Sequence, residues 1–475
     1  MMFQTIPSFE INFRSTSDGW RGKLAQNFTF SNVELLTKAL AIYLIKDLNK
    51  NRILIGYDTR FMSEEFANFM AEIFSRHGIN VSIINKPSPT PLLTFTTNKF
   101  NFPLGINITA SHNPPFDNGI KIRMNYGGTP TKRVINQIEN YIAKEFHASK
   151  KKSKGVIQRL NPLRSYISQI KDLLDFNKIC ILNKRVLVDT MHGTTMGILS
   201  SIFKNTGIKI SYLHENLDPY FGGINPEPKF ETTKELQDMV KNKKYNLGIA
   251  HDGDGDRIIA VHPSYGYLSP HDVSEILLWY LAKYKRMKGN VLGSSTLGRR
   301  IKRLCTHLGI EYEEIPVGFK NATEKLLKGE ILIAAEENGG VGFGFYLPER
   351  DATLAAAKLI EAEMTVDGGL KKILSEIERI AGKSGFCRFN YKPVGNRLRV
   401  FQKIVSSKEN QFAYKKINNI SNLDGIKITY EDGDWLSIRF SGTEDVLRIY
   451  CESDSREEAV KIKDFAISQI QKLEK

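Results

Sequence analysis

A strand-like run, a helix-like run and a second strand-like run follow one another three times along the chain, and this pattern restricts the fold more than any other feature. The first copy reads as a strand at 52–58, a helix at 63–78 and a strand at 79–85. The other copies span 185–213 and 289–315. A helix that connects two strands normally makes them parallel members of one sheet. The pattern therefore predicts three α/β units with mixed, largely parallel sheets.

The C-terminal part of the chain follows a different pattern. Segment 425–455 is rich in strand-forming residues and turns, and 456–475 reads as a helix. An earlier helix at 370–382 is expected to close the third α/β unit. These features predict a separate C-terminal α+β domain. A length of 475 residues agrees with three or four domains of about 100–150 residues each.

The formal net charge of +15 is compatible with a nucleic-acid ligand or with an electropositive cleft for small anions. The lysines are spread out, and the densest basic run, SKKKSK at 149–154, reads as a solvated linker. No RNA- or DNA-binding motif occurs. We therefore expect lysine-rich surfaces together with a phosphate-binding cleft, and no nucleic-acid partner.

Four scattered cysteines without a Cys-x-x-Cys pair are typical of free thiols in a reducing compartment. The N-terminal stretch lacks the apolar core of a signal peptide, and apolar runs such as 39–45 are too short to cross a bilayer. A hydrophobic share of 41% is enough to build sizeable cores. We expect a cytoplasmic protein without a membrane partner.

The segment TASHNPPFDNGIK at 109–121 is too broken for a helix or a strand. Pro114 and Pro115 remove backbone donors and disfavour the α conformation in the residues before them. The residues at 117–119 favour a turn. Ser111 is therefore expected at the tip of a stiff loop, where its hydroxyl can meet a substrate. An ordinary surface turn is the alternative.

Three aspartates, Asp252, Asp254 and Asp256, alternate with glycines directly after an apolar strand. Carboxylates that converge in this way suit Mg²⁺, which prefers hard oxygen ligands. An EF-hand does not fit, because its sixth position would be Arg257 instead of glycine and its twelfth Pro263 instead of glutamate. An acidic surface turn is the alternative, although three like charges this close repel one another unless a cation neutralises them.

The segment IRFSGTEDVLRIY at 438–450 combines two guanidinium groups with hydroxyls and a glycine. Arginine donates to phosphate in a bidentate fork, so this set suits a dianionic phosphate. A structural hairpin is the alternative. The candidate residues are Arg439, Ser441, Gly442, Thr443 and Arg448.

The segment AAEENGGVGFGFYLPERDA at 334–352 places Glu336, Glu337 and Asn338 before paired glycines. These side chains are able to hydrogen-bond sugar hydroxyls. The glycines do not fit GxGxxG, so a dinucleotide site is not supported. A hairpin without a ligand is again the alternative.

Taken together, these segments resemble the α-D-phosphohexomutase family, which includes phosphoglucomutase and phosphomannomutase. TASHNP is similar to the phosphoserine loop, DGDGDR to the metal loop, EENGG to the sugar-binding loop and RFSGTEDVLRIY to the phosphate-binding loop. GYDTR, PSPTPLL and VGFK also resemble family segments, and all the matches follow the family's order. The resemblance implies four domains around a central cleft, expected at 1–152, 153–260, 261–382 and 383–475.

The resemblance also implies a reaction. Ser111 would be a phosphoserine, and Mg²⁺ would be held by Asp252, Asp254, Asp256 and an oxygen of that phosphoserine. The phosphoryl group would pass to the free hydroxyl of a hexose 1- or 6-phosphate, giving a hexose 1,6-bisphosphate such as glucose 1,6-bisphosphate, the expected activator. The enzyme would then take back the other phosphoryl group, and the phosphate would in effect move between C1 and C6.

The same resemblance implies the roles of further residues. Arg21, Arg257 and Lys121 would lie close to the reacting phosphate, with Lys121 as a candidate general acid/base, and His112 would be catalytic beside the serine. The implied substrate contacts are Glu336 and Asn338 at the C3 and C4 hydroxyls, Gly318 and Lys320 of VGFK, and Arg439, Ser441, Gly442, Thr443 and Arg448 at the resting phosphate.

Three positions depart from the family's usual pattern. STSDG at 15–19 stands in place of FGTDG, Asn338 in place of a serine, and Asp445 in place of a proline. Asparagine is bulkier than serine and carries both a donor and an acceptor. The departure at Asn338 therefore affects the choice of substrate and not the class of reaction.

We expect an isomerase-class phosphohexomutase, monomeric or homodimeric, that acts on glucose phosphates, with mannose phosphates as a second substrate. A hexose 1,6-bisphosphate synthase of the same family and a phosphoglucosamine mutase are the alternatives. The second ranks behind because TASHNP and EENGG look closer to the glucose/mannose branch. Only the net charge suggests a non-catalytic nucleic-acid-binding protein, and the motif residues argue against it.

Overall fold

The structure, a computed structural model, describes residues 14–15, 19–142, 153–179, 184–242, 244–406, 409–441 and 446–474. The strands are β1 Arg14–Ser15, β2 Gly19–Lys23, β3 Arg52–Tyr57, β4 Asn80–Ile84, β5 Leu104–Ile108, β6 Asp117–Met124, β7 Ile157–Leu160, β8 Lys184–Asp189, β9 Ile208–Leu213, β10 Leu247–His251, β11 Ile258–His262, β12 Gly266–Leu268, β13 Asn290–Ser294, β14 Tyr312–Ile315, β15 Ile331–Ala335, β16 Val341–Phe343, β17 Gly385–Tyr391, β18 Ile417–Ser421, β19 Ile426–Tyr430, β20 Trp435–Phe440 and β21 Leu447–Ser453.

Helices alternate with many of these strands. They are α1 Phe30–Ile42, α2 Ser63–Arg76, α3 Thr90–Lys99, α4 Lys132–Ile142, α5 Leu163–Asp172, α6 Phe176–Ile179, α7 Ile198–Ile202, α8 Lys234–Asn242, α9 Pro270–Trp279, α10 Arg299–Leu308, α11 Lys320–Leu326, α12 Ala352–Thr365, α13 Gly369–Ala381, α14 Arg397–Val405 and α15 Arg456–Glu474. α1 and α9 continue as the π-helical turns Tyr43–Asp47 and Tyr280–Tyr284, and Phe221–Gly223 and Glu409–Phe412 are 3₁₀ turns. No helix among the described residues has the length and apolar character needed to cross a lipid bilayer.

Four sheets follow one another along the chain. The first has the order β1-β2-β6-β5-β3-β4-β7, the second β12-β11-β10-β8-β9 and the third β14-β13-β15-β16. In each of these, parallel strands form one part of the sheet and antiparallel strands extend it. The fourth sheet, β17-β21-β20-β19-β18, is antiparallel throughout. This arrangement confirms the predicted fold class of three mixed α/β units followed by an α+β domain.

Two strands extend the sheets past the domain limits expected from the sequence. Ile157–Leu160 pairs with β4 and so adds to the first sheet, although it follows residue 152. Gly266–Leu268 pairs with β11 in the second sheet, although it follows residue 260. The limits remain a prediction, and strand pairing favours placing the first two a few residues later.

The first unit shows why these residues form these elements. Phe66, Met70 and Ile73 recur on one face of α2 and are buried against the sheet, as the apolar spacing predicts. The parallel strand β3 buries residues on both faces, which fits a sheet covered by helices on both sides. The second and third units share one continuous apolar core, in which α12 is buried on nearly every side.

The parallel strands direct the predicted site segments to one place. β5, β10 and β15 are each parallel to a neighbour in their own sheets, and each is followed directly by one of these segments. Ligands in α/β sheets bind beyond the carboxyl ends of parallel strands. The serine loop, the aspartate loop and the EENGG loop therefore meet where three sheets end.

Candidate active site

Ser111 lies just beyond the end of β5, in the left-handed conformation with φ of +56°. Its backbone N–H donates to Thr109 Oγ1 at 2.9 Å, which holds this unusual geometry. Its hydroxyl donates to Asp252 Oδ2 at 2.8 Å. Left-handed backbone at a residue other than glycine is strained and is often found at functional sites. The predicted serine loop is thus directly joined to the predicted metal loop.

Arg60 fixes the serine loop from behind, and its role was not predicted from the sequence. The guanidinium donates to four backbone carbonyls of the loop, those of Ser111, Asn113, Pro114 and Asp117, at 2.6–2.9 Å. Its Nε lies 3.2 Å from Asp58 Oδ2, and both side chains are completely buried. The only signal in the sequence was the family-like segment GYDTR, which contains both residues.

We expect Arg60→Ala to lower both activity and stability. The variant leaves Asp58 as a buried charge without its partner, a change that typically costs about 3–5 kcal/mol of unfolding free energy. A shift of Ser111 by an ångström would lower kcat by about 10²-fold. Chemical denaturation and turnover measurements test this. Arg76→Ala, which breaks an exposed pair with Glu72, is the matched control and should change stability by less than about 0.5 kcal/mol.

The aspartate loop forms a compact cluster of carboxylates. Asp252, Asp254 and Asp256 are completely buried, and one oxygen of each lies within 4.8 Å of the others. Gly255 adopts φ of +68°, which lets the chain curl as the sequence predicts. A Cβ at Gly253 would lie only 2.8 Å from the carbonyl oxygen of Ser111, so glycine at this position allows the two loops to touch.

The oxygens of the cluster divide into two sets. Lys121 Nζ lies 2.6 Å from Asp254 Oδ2 and 2.7 Å from Asp256 Oδ2, and Arg350 lies 3.0 Å from the same Asp256 oxygen. Asp254 Oδ1 and Asp256 Oδ1 are buried and accept no hydrogen bond from the described part of the chain. Buried carboxylate oxygens normally have partners. Hard oxygens left in this arrangement fit a small divalent cation such as Mg²⁺.

The pKa values of the cluster show how strongly its charges interact. Burial, and after it the charges of Asp256 and Asp254, raises the pKa of Asp252 well above its ordinary value. Burial acts the same way on Asp256, but Arg350 and Lys121 outweigh it and lower its pKa. The carboxyl group of Asp252 therefore resists ionisation beside Asp254 and Asp256, and a bound cation would offset the repulsion among the three charges.

A cavity of about 500 Å³ opens beside the serine loop, and six cationic and four acidic side chains line it. Its cationic lining residues are Arg21, Lys229, Arg257, Arg350, Arg388 and Arg448. Of the residues predicted from the sequence, it is lined by Arg21, His112, Arg257, Gly318, Glu336, Asn338 and Arg448. Lys121 lies behind it in the carboxylate cluster. Ser111 is buried and, like Lys320, Arg439 and Ser441, does not itself line the cavity, whereas Gly442 and Thr443 lie outside the described residues.

His112 and Arg21 flank the serine on the cavity side. His112 Nδ1 lies 3.4 Å from Ser111 Oγ. Burial, and after it the charges of Arg257 and Arg21, lowers the pKa of His112 well below its ordinary value, so the ring is neutral near neutral pH. Arg21 donates to Asn113 Oδ1 at 2.7 Å, which places its guanidinium against the same loop.

The EENGG loop offers side chains of fixed orientation. Glu336 accepts from the Gly318 backbone N–H at 2.9 Å and lies 3.3 Å from Arg350. Burial raises the pKa of Glu336, and Arg350 offsets this only in part. Asn338 Oδ1 accepts from Gly340 N–H at 3.0 Å, and its side chain borders the cavity. Glu337 accepts from the Ser294 hydroxyl at 2.9 Å and also borders the cavity.

Arg439 is held away from the cavity by an ion pair. Its guanidinium lies 2.6 Å from Asp424 Oδ2 and donates to Asp424 Oδ1 at 3.1 Å. Asp424 also accepts from the backbone N–H of Val317 in the third unit. The second arginine predicted in this segment, Arg448, does line the cavity.

Several cavity residues were not predicted from the sequence. Asn225, Glu227 and Lys229 come from or directly follow the loop DPYFGGINPEP at 218–228, which belongs to none of the motifs described above. Arg388 and Asn390 come from β17, and they have no local motif that marks them. The fold places them at the cleft through pairings between residues far apart in sequence.

Models of one protein family match four successive segments of the chain. Their descriptions are phosphoglucomutase/phosphomannomutase α/β/α domain I at 14–149, domain II at 164–265, domain III at 270–380, and the C-terminal domain at 369–469. The matches follow the order of the four sheets.

Individual proteins agree with these matches over nearly full length. A phosphoglucomutase/phosphomannomutase of Thermococcus kodakarensis is 28% identical over 408 residues, covering 86% of this chain and 87% of the relative. A phosphoglucosamine/phosphogalactosamine mutase of Sulfurisphaera tokodaii is 28% identical over 447 residues, covering 92% and 94%. A crystal structure from Thermus thermophilus, provisionally named phosphomannomutase, superposes with a TM-score of 0.85 at 27% identity and covers 97% of this chain and 99% of its own.

Proposed function

The chain belongs to the phosphoglucomutase/phosphomannomutase family of isomerase-class mutases, and from this premise we propose that it interconverts hexose 1-phosphates and hexose 6-phosphates through a phosphoserine at Ser111. The observation that carries the proposal is the contact of Ser111 Oγ with Asp252 Oδ2 at 2.8 Å, in a loop whose next residue, His112, lines the cavity. A hydroxyl in this position can carry a phosphoryl group next to a divalent cation and within reach of a bound phosphosugar.

The chemistry balances with groups that the site contains. The free hydroxyl oxygen of the hexose phosphate attacks the phosphorus on Ser111; the new P–O bond forms as the Ser111 Oγ–P bond breaks. The proton of the sugar hydroxyl passes to a nearby base, for which the neutral ring of His112 is the candidate. The Ser111 oxygen leaves with a proton from an acid of the site, for which Lys121, whose Nζ donates to Asp254 and Asp256, is the candidate. Reversal at the other end of the bisphosphate restores the phosphoserine. Positioning and charge neutralisation dominate such transfers.

Mg²⁺ fits the carboxylates of Asp252, Asp254 and Asp256 and would supply Lewis-acid stabilisation of the phosphoryl oxygens. The cationic side chains of the chain complete the charge balance. Arg257 and Arg21 border the cavity next to the serine loop, where they can hold the transferring group. Glu336, fixed by Gly318 and Arg350, provides a buried acceptor for a sugar hydroxyl.

The preferred hexose is the open part of the proposal. Glucose phosphate is our leading substrate, with mannose phosphate as the second. Relatives named as phosphoglucosamine mutases match the chain over more than nine-tenths of its length. We therefore add glucosamine phosphate as a candidate substrate equal to glucose and mannose phosphates. We further propose a monomer or homodimer in the cytoplasm that uses a hexose 1,6-bisphosphate as activator.

A coupled assay on a panel of hexose 1-phosphates tests this function. Glucose, mannose and glucosamine 1-phosphates are each supplied with Mg²⁺ and a trace of the matching 1,6-bisphosphate. We expect conversion of at least one to the 6-phosphate. If the bisphosphate itself accumulates, the chain is the related bisphosphate synthase. Absence of turnover with all three sugars would contradict the proposal.

Asn338→Ser is expected to change the preference among these sugars while the mutase reaction persists. The substitution shortens the side chain that borders the cavity and removes its amide donors. We expect the ratio of kcat/KM for glucosamine and glucose 1-phosphates to change by about tenfold, the worth of one hydrogen bond to a sugar substituent. Asn419→Ser, at an exposed position, is the control. An unchanged ratio would show that Asn338 does not read the sugar.

A further inference from the structure

A second cavity of about 680 Å³ adjoins the reaction cavity, and Arg388 lines both. The side chain of Arg388 is 28% exposed and therefore accessible from the cleft. Its guanidinium carbon lies 5.9 Å from the ring centre of Tyr450, which supports it from one side. An arginine supported in this way and facing a basic cavity is suited to bind an anion in a bidentate fashion.

Strand pairing places Arg388 in a cradle of polar side chains. Arg388 and Asn390 are two residues apart on β17, so they project from the same face of the sheet. Asn390 lies directly opposite Arg448 on β21. All three line the reaction cavity. Arg439 is paired with Arg448 on the next strand, but its guanidinium is bound to Asp424. Among the arginines of this sheet, Arg388 and Arg448 line the reaction cavity.

The carboxylate of Glu227 faces Arg388 from the other side of the cleft. Its carboxylate lies 4.0 Å from Arg388, 3.5 Å from Arg257 and 2.5 Å from Lys229. Arg257 follows the aspartate loop, whereas Arg388 belongs to the C-terminal sheet, so one carboxylate connects two sides of the cleft. Burial disfavours its charge, but Arg257 and Lys229 outweigh this and lower the pKa of Glu227. A fixed negative charge would repel a dianionic substrate unless the cations shift from it to the substrate.

We propose that Arg388 binds the phosphate group of the substrate that is not being transferred, and that Glu227 is a positioning residue that holds Arg388 and Arg257 until that phosphate replaces it. This inference rests on the proposed function and adds the residues that recognise the phosphate. The ligand is the phosphate monoester dianion of a hexose phosphate. On binding, Arg388 exchanges one carboxylate for a doubly charged group that it can contact through two N–H donors.

Binding of inorganic phosphate, measured by calorimetry on the Mg²⁺-loaded chain, tests both roles. Arg388→Gln should weaken phosphate binding by about tenfold or more, since the positive charge and the bidentate pair of hydrogen bonds are lost. Arg388→Lys keeps the charge and should recover part of the affinity. Glu227→Gln should strengthen binding by roughly three- to tenfold, because a competing anion is removed. A purely structural role for Glu227 would weaken binding instead.

Lys392→Gln is the matched control, since it removes one positive charge from an exposed position just after β17. It should leave phosphate affinity within about twofold of wild type. Mg²⁺ affinity should be unchanged in all four variants. Wild-type phosphate affinity in Arg388→Gln, or weakened binding in Glu227→Gln, would overturn the inference. These outcomes are independent of turnover: an active enzyme with an unaffected Arg388→Gln variant would retain the mutase function and lose only this inference.

Discussion

Replacing Ser111 is expected to abolish hexose phosphate interconversion, with kcat lower by a factor of about 10⁴ or more, as when other enzymes lose their nucleophile. Ser111→Ala removes the oxygen that carries the phosphoryl group. It also places alanine at φ of +56°, where a Cβ is strained. Ser111→Gly tolerates this backbone conformation but likewise lacks the oxygen. Both variants should therefore be inactive, whether or not the loop relaxes.

The two variants separate chemistry from loop geometry. If the loss of activity in Ser111→Ala came only from a distorted loop, Ser111→Gly would keep substantial activity. Ser406→Ala, at an exposed position after α14, is the control and should behave as wild type. Phosphosugar binding by calorimetry should persist in both Ser111 variants, because Arg257, Arg388 and Glu336 are unchanged. Near-wild-type turnover in either would exclude a phosphoserine mechanism.

Removal of the divalent cation should have an effect of similar size. Chelation is expected to stop turnover, and Mg²⁺ should restore it. Asp256→Asn should cause a loss of at least about 10³-fold that added Mg²⁺ does not repair, because a Lewis acid stabilises such a transition state by several kcal/mol. Asp256 is a suitable position because its Oδ1 accepts no hydrogen bond from any described residue and is available to a cation.

Direct measurement of Mg²⁺ binding separates loss of the metal from loss of the fold. Asp256→Asn should bind Mg²⁺ far more weakly than wild type while its circular dichroism is retained. Some loss of melting temperature is expected, because Lys121 and Arg350 lose a charged partner. Asp238→Asn, on the exposed side of α8, should have no effect. Full activity in the presence of a chelator would contradict a metal-dependent mechanism.

The parts of the site that could be predicted from the sequence lie in contiguous segments. Ser111 and the aspartates are placed by their own prolines, glycines and flanking strands, so a short stretch contains most of the information about their position. The fold class was predictable for a similar reason, because a strand–helix–strand unit is local and its crossover has a preferred geometry.

The remaining residues depend on pairings across the chain. Arg60 contacts carbonyls more than fifty residues away, and Arg388 reaches the cleft only because β17 pairs with β21. Arg439 shows a different case: its local motif predicts a phosphate ligand, and the structure adds an ion pair with Asp424 that the motif does not indicate. Nothing in the neighbouring sequence marks the pairing of β17 with β21 or the ion pair of Arg439 with Asp424. The chemical type of a residue therefore predicted what it could bind, and tertiary structure decided what it does bind.

The central claim is that Ser111 accepts and returns a phosphoryl group, and mass spectrometry tests it most directly. The purified chain is incubated with Mg²⁺ and a hexose 1,6-bisphosphate, and its intact mass and peptide map are recorded before and after addition of hexose 6-phosphate. We predict the gain of one phosphoryl group, located on Ser111, and its loss when the acceptor sugar is added. A chain that stays unmodified, or that carries the group on another residue, would contradict the account.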